Sequence, residues 1–382
     1  MTDANFDLIR TFNPKALAEN IAYIRSRTKA ELGAVIKAEA YGIGLSRVLP
    51  IMKKEGVESF FAQDIIDAMD ARRILGPDAE IFVMAGAIKG QYGELAAHGL
   101  APACVSMDQI EGFNKFASDL KRKPKAAIHF DTGMNRTGLA LRDALLLASN
   151  FRARTANLDI VLYMSHLYDS RRKTLANLAQ KRAFDRMLEM LPKRRASLAA
   201  TGGALAQGRA FHYDLLRVGD ALYGMARGMR PVASVAARIL QIRDVEKGAA
   251  VGYSGTYRAP RNMRVAVLCA GFKDGYPREL SHTNTWRDWI RAKTGVGTGA
   301  TRSWAHIGGR RCPLVGLVSM NNITVDASLV PDEILARERF AEIMGEKADA
   351  RDFRTSAGFI PADMLCGLMR PNKNAVDKVL AY

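Results

Sequence analysis

The feature that most constrains the fold is a rhythm of short apolar runs. They recur at 32–36 (LGAVI), 58–62 (ESFFA), 81–84 (IFVM), 102–105 (PACV), 125–130 (KAAIHF), 159–164 (DIVLYM), 197–200 (SLAA) and 215–218 (LLRV). Segments with helical apolar spacing lie between them, such as DIIDAMDARRIL at 64–75 and LANLAQKRAFDRMLEML at 175–191. Eight strands, each followed by a helix, in little over two hundred residues match a (β/α)8 TIM barrel, with a doubly wound open sheet as the competing α/β arrangement.

The chain has 382 residues, more than a barrel of ~250 needs, so a second domain is expected. Beyond about residue 231 the texture changes to alternating runs (SVAARILQIRDV, MRVAVLCAGF, CPLVGLVSMNNITVD), which read as a mostly β domain bounded near GMRPVAS. The stretch 282–309, which carries all three tryptophans and several glycines, reads as a long loop or insertion.

The four cysteines stand far apart, without paired spacing, which argues against disulfides and zinc. No apolar run approaches the ~20 residues of a membrane span, and the opening MTDANFDLIR lacks a secretory pattern, so a cytoplasmic protein with no membrane partner is expected. A net charge of +17 raises nucleic acid as a partner. The basic groups are short and dispersed, however (KRKPK, RRK, KRR), and favour a solvated surface with no nucleic acid bound.

In a barrel, chemistry collects where strands end. The first run delivers Lys37 in AVIKAEAYGIG; the fifth ends in DTGMNR, the sixth in SHLYD, the seventh in TGG and the eighth in GDALYG. A lysine so placed is either a solvated strand end or a partly desolvated amine able to attack a carbonyl. TGG and GDALYG are either ordinary turns or the glycine-rich phosphate site that barrels build after strands seven and eight. A reactive lysine together with a phosphate cradle points to pyridoxal phosphate.

With these residues in view, the chain resembles the alanine racemases, two-domain pyridoxal-phosphate enzymes of barrel plus β-domain fold. Seven ordered motifs carry the resemblance: AVIKAEAYGIG, HFDTGMNRTGL, YMSHLYDS, LRVGDALYG, VGYSGTYRA, AGFKDGYPR and VGLVSMNN. It implies a cofactor-binding barrel over 12–231, and a β-domain over 232–382, joined by a strand from 1–11, that completes the partner's active site in a homodimer. By the same resemblance Lys37 carries the cofactor and exchanges the α-proton on one face of the amino-acid substrate, and Tyr253 is the base on the other. Arg136 and Met320 bind the substrate carboxylate. Arg217 faces the pyridine nitrogen, His166 lies against the ring, and Tyr41, Thr201, Gly219 and Asp220 hold the phosphate. The implied reaction interconverts L- and D-alanine, which supplies D-alanine for peptidoglycan.

Several positions depart from the family pattern. His129 replaces a lysine that many members carbamylate, and Asn321 replaces an aspartate. Phe272 and Ala362 replace tyrosines that narrow substrate access, which leaves a broader racemase, taking serine or longer side chains, as the alternative. Asp220 puts a carboxylate where an apolar residue is usual beside the phosphate, with its side chain expected to point away. Other enzymes on this fold decarboxylate basic amino acids or act as aldolases, and single-barrel relatives only bind the cofactor. VGYSGTY and SMNN favour the racemase reading.

Overall fold

The computed structural model describes residues 5–284, 303–353 and 361–382. The chain divides into two compact units, one of Ala18–Ala40 and Gly44–Leu222, the other of Met1–Leu17, Tyr41–Ile43 and Tyr223–Tyr382.

The N-terminal strand β1 (Leu8–Phe12) belongs to the second unit. The first unit is an eight-stranded parallel barrel: β2 (Glu31–Val35), β3 (Ser59–Ala62), β4 (Glu80–Val83), β5 (Ala101–Cys104), β6 (Lys125–His129), β7 (Asp159–Met164), β8 (Arg195–Ser197) and β9 (Leu215–Val218). β2 pairs with both β3 and β9. Closure between β8 and β9 comes from the Ala200–Arg217 bridge and the Arg217 N–H donating to Ala199 O at 3.0 Å.

Large and small side chains alternate inside the barrel. Phe61 and Phe82 stack with centroids 4.7 Å apart, and Ala101, Ala103 and Ala127 leave them room in the same buried cluster. Gly33 is required by this packing, because a Cβ there would lie 2.7 Å from the Phe61 ring. At the N-terminal ends of the strands Arg195 pairs with Glu31 at 3.0 Å and with Glu80. These residues line a cavity of about 920 Å3 at that end of the barrel.

The eight predicted strands are present, with two departures. The seventh runs Arg195–Ser197 and shares only Ser197 with the run expected at 197–200, because the charge that reads as loop is held by Glu31 and Glu80. The eighth is followed by turns through Tyr223, not by a helix.

The second unit is mostly β. Its strands are β1, β10 (Ala233–Val245), β11 (Ala250–Val251), β12 (Tyr257–Arg258), β13 (Met263–Leu268), β14 (Trp304–Ile307), β15 (Arg310–Pro313), β16 (Ile323–Asp326), β17 (Phe340–Met344) and β18 (Ala375–Val379). The sheet runs β15-β14-β17-β10-β1-β18, with β13 on β10 and β16 on β13. β10 changes register between Ile239 and Gln241, so its first half serves β1 and β17 and its second half β13. Arg10 on β1 is buried and donates to Asp377 on β18 at 2.6 Å.

The tryptophan-rich stretch is corrected in part. Residues 285–302 lie outside the described residues, but Trp304–Ile307 forms a strand whose Trp304 ring meets Phe353 edge-on and stacks under Arg311. Residues 314–322, which include Met320, leave the strand that the sequence pattern continues through them. No helix among the described residues is long and apolar enough to cross a membrane.

Candidate functional site

Lys37 lies two residues past the end of β2, after Ile36, and is half-buried. Behind it the backbone does something the sequence does not announce. Ala38, Glu39, Ala40 and Tyr41 all have φ between 53 and 58°. Four successive L-residues therefore run left-handed, a conformation that costs roughly 1–2 kcal/mol for each. The Ala38 N–H donates to Asp67 Oδ2 at 2.7 Å, the Ala40 N–H to Ile36 O at 3.0 Å and the Gly44 N–H to Glu39 O at 2.9 Å. Gly44, at φ 105°, takes the chain out of the turn where a side chain would be strained.

Around the C-terminal ends of β6–β9 the barrel gathers positive groups. Arg217 is buried. One of its Nη atoms donates to Ser197 O at 2.8 Å and to Ser197 Oγ at 2.6 Å, and the other donates to Ser165 O. Burial lowers its pKa to about 10, so it stays charged at neutral pH. His166 has its pKa pushed down to about 3, by burial first and then by the charges of Arg217, Arg136, His129 and Lys37. His129 is lowered to about 3 by burial, Arg217 and Arg136, with only Asp131 acting against them. The charges acting on the two histidines place Lys37, Arg136 and Arg217 in one electrostatic neighbourhood with His129 and His166. The His129 Nδ1 is buried with no hydrogen-bond partner among the described residues.

Arg136 sits on an exposed loop shaped by Asp131, whose Oδ1 accepts from the N–H groups of Gly133, Met134 and Asn135 at 2.8, 2.8 and 3.2 Å. Gln180 ties this loop to the next, donating to Thr132 Oγ1 at 3.4 Å and to His166 O at 3.0 Å.

The Thr201 hydroxyl accepts from the N–H groups of Gly219 and Ala221, both at 3.3 Å. Asp220 pairs with Arg171 at 3.2 Å. The Arg171 loop lies on the TGG segment, since a Cβ on Gly202 would stand 2.3 Å from Ser170 Oγ. Tyr41 is buried with its ring 4.8 Å from that of Tyr223.

The other two expected residues belong to the second unit. Tyr253 lies in the turn Tyr253–Gly255 and is 70% exposed, and Met320 is 57% exposed. The Met320 carbonyl accepts from the Lys273 N–H at 3.1 Å, in the turn that carries Phe272. Arg278 stacks over the Phe272 ring at 4.1 Å. Asn321 is exposed, and Ala362 is half-buried in the first turn of the helix Pro361–Leu368.

The sequence reading missed Asp67, Asp131, Ser165, Gln180, Ser197 and Arg171. Of these only Asp131 carried a local signal, as an aspartate two residues before a glycine after a strand.

Fold and site define a two-domain barrel protein whose strand ends bring a lysine, two arginines and two histidines into one neighbourhood. The family description "Alanine racemase, N-terminal domain" matches residues 12–227, and "Alanine racemase, C-terminal domain" matches 232–376. A protein named alanine racemase from Methylobacterium sp. (strain 4-46) is 35% identical over 373 residues, covering 96% of each chain. Another, from Brucella suis (strain ATCC 23445 / NCTC 10510), is 32% identical over 381 residues, covering 94% of this chain and 91% of that protein. The crystal structure of alanine racemase from Bartonella henselae with covalently bound pyridoxal phosphate superposes with a TM-score of 0.84 at 27% identity, covering 98% of this chain and 99% of that one. The chain belongs to the alanine racemase family.

Proposed function

We propose that this chain is a pyridoxal-phosphate-dependent racemase that interconverts L- and D-alanine with Lys37 and Tyr253 as its two bases. The observation that carries the reading is Lys37 at the end of the first barrel strand, in one neighbourhood with Arg136, His129, His166 and Arg217. Those groups fit the cofactor, because the ring of charge is positive, both imidazoles are neutral and the buried His129 Nδ1 lacks a partner among the described residues. The bound cofactor supplies an electron sink that acidifies the α-proton of the amino acid.

The chain's own residues then have separate tasks. Lys37 Nζ anchors the cofactor and moves the α-proton on one face. Tyr253 Oη does so on the other, and inversion needs one base to take the proton while the other returns it. Arg217, fixed by Ser165 and Ser197, is the residue that would face the ring nitrogen, and its permanent positive charge would keep that nitrogen unprotonated. His166 covers the ring. Arg136 and the Met320 N–H take the substrate carboxylate. Tyr41, the Thr201 hydroxyl and the backbone of Gly219 and Asp220 would hold the phosphate, while the Asp220 carboxylate pairs with Arg171, which offsets its charge.

Because Tyr253 is exposed on the chain that carries it, we assign it to the site of a second copy, so the working form is a homodimer. We place the enzyme in the cytoplasm. The test is borohydride treatment and peptide mapping of protein supplied with cofactor, with D-alanine formation from L-alanine measured on an untreated portion. Attachment at Lys37 that is lost in Lys37→Ala is the expected result, and absence of attachment in the parent protein refutes the reading.

A further inference from the structure

The left-handed turn behind Lys37 needs something to hold it, and the carboxylate beside it has no other evident task. In a left-handed run, as at the start of any helix, the first N–H groups point out of the turn without an acceptor inside it. Asp67 stands at that end, with Oδ2 accepting from the Ala38 N–H at 2.7 Å. The Glu39 amide also favours the charged form of this carboxylate. The far end is fastened separately, by Glu39 Oε2 accepting from the Leu45 N–H at 3.1 Å.

We propose that Asp67 is a positioning residue for the reaction, capping the left-handed turn at Ala38 and Glu39 and thereby aiming the Lys37 side chain. Asp67 is itself pinned: it lies in the first turn of the helix Ile65–Leu75, where Asp64 Oδ1 accepts from the N–H groups of Ile66 and Asp67, both at 3.0 Å. The surroundings otherwise disfavour a charge there. Burial and the charges of Asp64 and Glu39 raise its pKa, and only the two turn amides oppose them. A carboxylate kept in such a place is explained by the amides it holds. The Ala38 nitrogen is bonded to the Lys37 carbonyl carbon, so fixing that peptide plane fixes the direction in which Lys37 leaves the strand. Misplacing a reacting group by about 1 Å costs on the order of 10²-fold in rate.

The inference rests on Lys37 being the cofactor anchor, and the test separates the two. Asp67→Ala and Asp67→Asn are compared with the parent holoenzyme by amide exchange over residues 36–45. Recapture of pyridoxal phosphate by Lys37 after hydroxylamine stripping, and kcat and KM for alanine, are measured alongside. For Asp67→Ala we expect exchange in the turn to quicken at least tenfold with the rest of the barrel unchanged. Recapture slows at least tenfold, and kcat falls ten- to a hundredfold while KM stays within threefold. Asp67→Asn, which keeps one acceptor oxygen, falls between, and it decides the matter if the alanine variant does not fold. Parent-like exchange and recapture in the folded variant overturn the role of Asp67. Failure of the parent protein itself to attach the cofactor at Lys37 overturns the anchor reading instead, and the exchange result still reports on the cap.

Discussion

His129 makes the sharpest quantitative prediction. The residue is 7% exposed, and burial together with Arg217 and Arg136 lowers its pKa from 6.5 to about 3. With the folded pKa depressed, the unfolded chain binds the proton first as pH falls. The stability due to the neutral imidazole is therefore complete above about pH 6.5 and is lost progressively toward pH 3, by roughly 1.4 kcal/mol per pH unit. Between pH 7.5 and 5.0 the loss from this one group is about 2 kcal/mol. Glutamine fills similar space and does not titrate. Urea unfolding of the parent and His129→Gln proteins at pH 7.5, 6.5 and 5.0 measures the contribution as a difference, so other titrating groups cancel. The gap between the two proteins should change by about 2 kcal/mol over that range in favour of the variant. Parallel curves would refute the neutral buried imidazole, as would an NMR titration in which His129, one of six histidines, shifts near pH 6.5.

Tyr253→Phe should lower racemisation by roughly 10²–10⁴-fold while borohydride still fixes the cofactor on Lys37, because only a proton carrier is removed; loss of attachment would contradict the assignment. Mixing Lys37→Ala chains with Tyr253→Phe chains should restore up to about a quarter of parent activity, since half the random dimers have one intact site. No recovery despite demonstrated chain exchange rules out shared sites. On a panel of L-amino acids the parent protein should turn over serine or longer substrates as well as alanine. Ala362→Tyr should narrow that range, and strict alanine preference in the parent would sink the idea.

The barrel was legible because a buried parallel strand must be a short apolar run, and each run here is bounded by polar or glycine-rich segments. DIVLYM at 159–164 coincides with β7 residue for residue. Where the reading slipped, a partner distant in sequence was responsible. Arg195 is strand because Glu31 and Glu80, on β2 and β4, receive its charge. Trp304–Ile307 is strand because β15 and β17 accept it, although the glycines before it read as loop. Lys37, His166 and Arg217, which the proposed function uses, could be singled out from sequence because each lies at or just past the end of a strand, and Arg136 because it lies in the loop after β6. The site was not legible in its supports, since Ser197 meets Arg217 from a different strand and the Gln180 side chain reaches Thr132 and His166 from a helix distant in sequence, which no local window contains.

The turn after Lys37 marks the limit of local reasoning most clearly. Alanine and glutamate are strong formers of the right-handed helix, so the letters KAEAY argue for the mirror image of what the chain adopts. Holding four residues left-handed costs roughly 4–8 kcal/mol in all. Amide hydrogen bonds to a charged acceptor give about 1.5–3 kcal/mol each, so the Ala38 bond to Asp67 offsets about a third of that cost, and the Glu39 amide and the Glu39 side-chain clamp on Leu45 add to it. Strain of this kind persists where the surrounding structure over-determines it, and such places are commonly functional. Here the support comes from the neighbouring strand–helix unit, 29 residues downstream of Ala38. A window that reads only the lysine and its neighbours contains the strain but not the residue that opposes it.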